Sequence, residues 1–190
     1  MDTRPPILRD IPESFESERL VIRAPRPGDG PALHEAIEES RAELRPWMPW
    51  ANEHQTMDDS EGYARRAYSE FLGRRDLPLF LFLRQDGIFV GGSGLHGIEW
   101  TVPRFEIGYW VRTSMTGRGY ATEATRRIAD FAFEDLGAER MEIWCDARNE
   151  RSATVARRAG FRLETTMRRH RRGTDGTLAD SLCFVRFRGT

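Results

Sequence analysis

The chain has no lysine; all 29 of its basic residues are arginine. A GC-rich genome would produce this bias, and whatever its origin, no side-chain amine is present. Cysteine is scarce as well. Cys145 and Cys183 make no disulfide framework, and both stand in apolar, strand-like runs where buried, inert thiols are expected. No apolar run approaches the roughly 18 residues of a membrane-spanning helix. Charge of one sign is missing too: 30 acidic residues against 29 basic leave a net charge of -1. That excludes broad attraction to nucleic acid or to a membrane surface. The first ten residues are polar and proline-bearing and lack the apolar core of a signal peptide, so a cytoplasmic protein is expected. No zinc-ligand spacing, paired-carboxylate signature or nucleophile elbow occurs, so no metal is expected. No repeat or low-complexity tract is present.

What remains is a chain of 190 residues, 39% hydrophobic and 31% charged, suited to one domain with a full core. Its organising stretch runs from Thr113 to Ala124. A strand-like run, residues 105–111, precedes it. A helical pattern follows, with Ala121, Ala124, Ile128, Ala129, Ala132 and Leu136 at spacings of three and four. Strand, glycine-containing turn and helix in that order aim a row of backbone N–H groups and the positive end of a helix dipole at one point. Gly117 and Gly119 let an anion approach the main chain, and Arg118 adds a charge beside it. The alternative is a plain strand-to-helix turn.

The other elements follow from pattern and punctuation. Residues 1–17 read as an arm, and 18–188 as a single domain. A first strand covers 19–24, and Asp29 stands ready to cap a helix carrying Leu33, Ala36 and Ile37. Pro46-Trp47-Met48-Pro49-Trp50 can be neither a long helix nor an inner strand; Trp47 and Trp50 either plug the core or wall a cleft. A second helix spans 57–75, with Asp58, Asp59 and Glu61 at its dipole-positive start. Strands at 77–84 and 88–95 flank a hairpin turn at Asp86-Gly87, with His96 after the second. In the 105–111 strand, alternation puts Glu106, Gly108 and Trp110 on one face. Glu106 is then either a buried carboxyl with a raised pKa or a glutamate at the strand's wet end. Beyond the central helix lie a strand at 139–147, a short helix at 149–159 that Asn149 caps and Ser152 follows, and strands from 161 and at 178–187. The basic run 168–172 reads as a solvated face, or as a contact for phosphates or an acidic substrate.

Thr116-Gly117-Arg118-Gly119-Tyr120-Ala121 resembles the pyrophosphate loop of the GNAT acetyltransferases, with Thr116 where that pattern has Gln or Arg. Glu106-Ile107-Gly108-Tyr109-Trp110, Asn149 to Ser152 and Ala159-Gly160-Phe161 are similar to elements of the RimJ/RimL branch, so the resemblance covers nearly the whole chain. It implies an α/β fold with a mixed, mostly antiparallel twisted sheet and helices on both faces. It implies acetyl-CoA as cosubstrate, held by Trp110, Val111, Gly117, Arg118, Gly119, Tyr120, Ala121, Thr122 and Asn149. Glu106 would be the base and Ser152 the group that serves the leaving thiolate, with Trp47, Trp50 and His96 on the acceptor side. The acceptor would be an amine, of a protein N-terminus or of a small molecule; a non-catalytic CoA-binding sensor is the reading from another class. The resemblance admits a homodimer. Lacking lysine, the chain would offer no side-chain amine for acetyl groups to land on.

Overall fold

The computed structural model describes residues 4–189. In chain order the elements are β1 (Ser14–Glu16), β2 (Leu20–Arg23), α1 (Gly30–Leu44), α2 (Met57–Gly73), β3 (Leu77–Leu83), β4 (Phe89–Glu99), β5 (Arg104–Val111), α3 (Tyr120–Glu134), β6 (Arg140–Asp146), α4 (Glu150–Arg158), β7 (Arg162–Arg172) and β8 (Leu178–Phe187). Eight strands form one sheet in the order β1-β2-β3-β4-β5-β6-β8-β7. All neighbours are antiparallel except β5 and β6. That pair is parallel because α3 carries the chain back across the sheet between them, as parallel connections require. The sheet is therefore mixed and mostly antiparallel, as expected.

Alternation divides the core between two faces. Leu79, Leu81, Leu95, Phe105 and Ile107 are buried in one cluster with Ala124, Ile128 and Ala132 of α3 and Ala153 and Ala156 of α4. On the other face Phe80 and Phe89 are buried with Leu33 and Ile37 of α1 and Ala64 of α2. Thr56 starts α2 with a reciprocal capping box to Asp59, which satisfies two N–H groups that the helix leaves open.

Three segments differ from the sequence reading. Part of the 1–17 arm is a strand: β1 pairs with β2, and Phe15 stacks on Phe131 at 4.2 Å. Three residues with one apolar side chain leave no periodicity to detect. β4 does not end at Leu95 but continues past His96 to Glu99, with an irregularity before its end. The strand expected from 161 runs on to Arg172 and takes in the basic run; β7 is an edge strand exposed along its whole length, so the run is a solvated face.

The β4–β5 contact is unusually close. A Cβ on Gly91 would lie 2.2 Å from the Trp110 carbonyl oxygen and 2.8 Å from the Val111 Cα. Both are backbone atoms of a paired strand and cannot swing aside. Gly91→Ala is expected to cost about 1–3 kcal/mol through overpacking, read as a lower urea midpoint; an unchanged midpoint would mean that the strands separate freely there.

Candidate active site

The glycines of β4 and β5 make a trough. Gly92 pairs with Trp110, Gly94 with Gly108 and His96 with Glu106. All six share the α1–α2 face, so the middle of the trough floor is bare backbone. Two rings lie over it. A Cβ on Gly92 would come within 2.6 Å of Trp110 Nε1, and one on Gly94 within 2.8 Å of His96 Cε1. Above the floor is a cavity of about 570 Å³ walled by Leu33, Ile37, Trp50, Tyr63, Phe80 and Trp110. Trp50 meets Trp110 at 5.8 Å between ring centroids. Trp47 does not join it. It lies in a separate surface depression with Arg148 and Asp175, because the 3-10 turn at Pro49–Asn52 turns the two tryptophans apart. Expected together, only Trp50 and His96 of the acceptor-side residues reach the cavity.

The far end of the trough is polar. His96 Nδ1 is 2.8 Å and 2.9 Å from the two carboxylate oxygens of Asp76. Glu106 pairs with His96 across the strands, and its carboxyl makes no hydrogen bond among the described residues. Burial pushes its carboxyl above the ordinary range, against the pull of His96 and Arg171. Glu142, its partner on β6, is already satisfied: Arg140 Nε donates to it at 2.6 Å and Trp144 Nε1 at 2.9 Å.

On the other side of β5 the sheet opens. β5 and β6 pair only from Arg104↔Arg140 to Glu106↔Glu142 and then part. Arg112 N–H donates to Val90 O at 2.9 Å. By the two-residue alternation of an antiparallel ladder, the main-chain groups of Trp110 also face β4, while those of Tyr109 and Val111 face the gap. Of the two expected main-chain contacts there, Val111 offers its backbone to the gap, and Trp110 offers its indole to the cavity instead. Tyr109 crosses the gap. Its hydroxyl is 3.0 Å from the Ser152 carbonyl and 2.9 Å from Ser152 Oγ. The carbonyl only accepts, so when the phenol donates to it the serine donates to the phenol. Burial pushes the Tyr109 phenol up to about 12, keeping it protonated. Cys145, on the same gap, is also raised by burial and is no thiolate nucleophile. Asn149 caps α4, its Oδ1 accepting from Ser152 N–H at 3.0 Å.

The gap leads to the glycine turn. Gly117 and Gly119 have φ of 75° and 84°, left-handed values that glycine adopts without strain. The first helical bond of α3 is from Glu123 N–H to Gly119 O, so the amides of Tyr120, Ala121 and Thr122 have no place in the helix ladder. The turn is braced from both sides. Glu123 accepts from Ser17 Oγ at 2.7 Å, Arg19 N–H at 2.8 Å and Arg19 Nε at 2.6 Å. Burial pushes that carboxyl up, but these donors together hold it below its usual range. Arg19 also donates to Arg118 O at 3.0 Å and lies over the Tyr120 ring. On the other side Arg112 pairs with Glu35 and Glu39 of α1, and Ser114 N–H donates to Glu39 at 2.6 Å. Arg118 itself is exposed. Thr116, where the family pattern has a longer side chain, bonds back to Thr113 O at 2.8 Å.

Sequence reading missed Asp76, Tyr109 and Arg19. Tyr109 had a signal: alternation sets it on the opposite face from Glu106, toward the helix that follows β6. Asp76 and Arg19 had none, since their partners lie 20 and 104 residues away. Among the described residues no cluster of His, Cys, Asp and Glu could hold a metal, and no helix is long and apolar enough to cross a membrane.

Comparison with known proteins agrees with this geometry. Residues 19–162 match the family model described as Acetyltransferase (GNAT) domain. A putative ribosomal N-acetyltransferase of Bacillus subtilis (strain 168), YdaF, is 30% identical over 149 residues, covering 76% of this chain and 79% of the relative. Among solved structures, Mycobacterium smegmatis RimJ in complex with CoA-disulfide superposes with a TM-score of 0.82 at 26% identity, covering 92% and 86% of the two chains. The microcin C7 self-immunity acetyltransferase MccE, in complex with acetyl-CoA and AMP, has the same fold, with a TM-score of 0.85 at 20% identity over 93% and 97% of the chains. A parted pair of parallel strands, a glycine turn at the head of α3 and a match over residues 19–162 together make this chain a member of the GNAT acetyltransferase family.

Proposed function

We propose that this protein transfers the acetyl group of acetyl-CoA to the α-amine of a protein N-terminus, by direct attack in a ternary complex. The observation that carries this reading is that β5 alone divides the β5–β6 gap from the glycine-floored cavity. A thioester in the gap and an amine in the cavity would meet at its edge. The name of the B. subtilis relative, a ribosomal N-acetyltransferase, supports the acceptor class, and the acetyl-CoA of the MccE structure supports the donor.

The pyrophosphate would lie on the amides of Gly117, Gly119, Tyr120, Ala121 and Thr122, with Arg118 outside it. The pantetheine arm would add to the open edge of β5 through the main chain of Val111. The terminal amide of Asn149, whose oxygen is taken by the cap, would remain to donate. The amine would approach along Trp50 and His96. As the tetrahedral adduct forms, its oxygen needs a backbone donor, and Val111 N–H faces that space. Glu106 would take a proton from the nitrogen and release it to water. The C–S bond breaks with its electron pair leaving on sulfur, and Ser152 Oγ, held by Tyr109, would donate a hydrogen bond to the thiolate until water protonates it. An N-terminal amine has a pKa near about 8, against about 10.4 for a lysine side chain, so less of it must be deprotonated at neutral pH.

A panel of N-terminal peptides, polyamines and amino-acid conjugates, read as free-thiol release, tests the acceptor. Peptide amines are expected to turn over with the highest kcat/KM; release with small amines alone would overturn the peptide reading.

Gly119→Val tests the turn. The new Cβ would meet only the Arg19 guanidinium, at 3.5 Å, so the fold has room for it. The left-handed backbone does not suit it, at about 1–2 kcal/mol. Losing one charge-assisted bond to phosphate would weaken acetyl-CoA binding by about 1.5–3 kcal/mol. Calorimetry giving parental affinity in a folded variant would show that the phosphates lie elsewhere.

Glu106→Gln separates chemistry from stability. Turnover is expected to fall by about a hundred- to ten-thousand-fold, with acetyl-CoA affinity unchanged and partial recovery at higher pH. Because burial raises this carboxyl in the fold, its ionised form costs stability above the folded-state pKa. That cost vanishes as pH falls through it and the acid becomes neutral. The Gln variant should therefore melt no lower than the parent at neutral pH, and its margin should shrink in acid. Parental turnover would make Glu106 a structural residue.

A further inference from the structure

Direct acetyl transfer removes two protons from an incoming ammonium. One must leave before the nitrogen can attack, and one leaves as the adduct becomes an amide. Glu106 sits beside the point where the strands part and suits the second. The first can be taken in the cavity, where the ammonium arrives.

We propose that His96, held by Asp76, is the base that takes this first proton, an inference that rests on the amine-acetyltransferase reading above. The imidazole lines the cavity that the acceptor would enter. Its Nδ1 is held by both carboxylate oxygens of Asp76, at 2.8 Å and 2.9 Å. A carboxylate only accepts, so the neutral ring carries its hydrogen on Nδ1 and Nε2 keeps a free lone pair. The ring's place is built into the sheet. It lies over the Gly94–Gly108 pair, where Cβ atoms would stand 2.9 Å and 3.3 Å from Nε2. A side chain at Gly94 would force the ring to move, and one at Gly108 would crowd it.

The register extends this arrangement. Leu77 pairs with Leu95 and His96 with Glu106, so Asp76, just before β3, His96 on β4 and Glu106 on β5 stand in a row across the sheet. Two of the three are in contact with solvent: the side chains of His96 and Asp76 are 39% and 34% exposed. Glu106 is the more buried member, with Arg171 and Arg104 acting on it from β7 and from its own strand. Glu142 ends the row and is taken by Arg140 and Trp144. The row gives each proton its own acceptor, and His96 can return its proton to water.

The step balances. The ammonium N–H bond breaks and its electron pair stays on nitrogen; the proton goes to His96 Nε2, forming an imidazolium whose charge Asp76 offsets. The neutral amine then attacks the thioester. Asp76 is thus a positioning residue, and His96 touches the acceptor.

The test combines His96→Ala, Asp76→Asn and the parent on one peptide with a free N-terminal amine, with folding checked by circular dichroism. His96→Ala should lose about a hundred- to ten-thousand-fold in kcat/KM for the amine while binding acetyl-CoA as the parent does. Added imidazole should restore part of the rate, since it can occupy the space over the two glycines. Asp76→Asn should lose activity to a similar extent without rescue by imidazole, because an amide can donate to Nδ1 and so move the ring hydrogen to Nε2. Nitrogen-15 NMR of the histidines supplies a readout that needs no turnover: His96 should be the Nδ1–H tautomer in the parent and lose that form in Asp76→Asn. Parental kcat/KM in His96→Ala, loss of rate in His96→Ala that imidazole does not rescue, or an Nε2–H tautomer in the parent would each overturn the proposal and leave the acetyltransferase reading standing. A parent that acetylates no amine would remove that reading, and this proposal with it.

Discussion

Two neighbouring parallel strands that stop pairing after three positions set the terms for everything else in this molecule. Past Glu106 and Glu142, the facing edges of β5 and β6 carry main-chain groups with no ladder to join. Unpaired backbone polar groups inside a protein are costly, so a gap of this kind persists only when other contacts hold both sides. Here β4 holds β5 along its length and β8 holds β6 along its length. Tyr109 and Ser152 tie across the opening. The gap has the hydrogen-bonding character of a missing strand, which a chain of amides such as pantetheine can supply.

Around that opening the fold positions its parts with arginine. Arg112 holds the start of the turn to α1, Arg19 holds its end to β2, and Arg140 gathers Glu142 and Glu164. A planar guanidinium with several donors in a fixed fork locks geometry better than an ammonium does, and a chain without lysine has only that device. Glu142 is neutralised by it and Glu106 is not. The two glutamates share a register position, yet one is a satisfied ion pair and the other an unpartnered, partly buried carboxyl. Their difference arises from neighbours, not from residue type.

How much was legible follows from how far each contact reaches along the chain. The helix after Gly119, the alternation of residues 105–111 and the cap at Asn149 are local, and each can be read from a few adjacent residues. The strand β1 could not, since Ser14–Glu16 is apolar at one position and is held by Phe131, far away in sequence. His96 was placed at a strand end because the apolar pattern fades after Leu95; pairing with Glu106 carries the strand on. Trp47 and Trp50 looked like one wall because they are three residues apart, and one short turn sends them to different surfaces.

The amino-acid sequence alone determined the order of the elements from β2 onward, the glycine turn at the head of α3 and the face of β5 on which Glu106 and Trp110 lie, because backbone conformation and side-chain alternation are set within a few residues. Only the tertiary structure decided which side chains meet. That Gly92, Gly94 and Gly108 are a floor and not merely flexible, that Tyr109 bonds Ser152, that Asp76 holds His96 and that Glu106 is left without a partner all depend on register between strands distant in sequence. Register is chosen by the packing of both sheet faces at once, and no single stretch of the chain contains it.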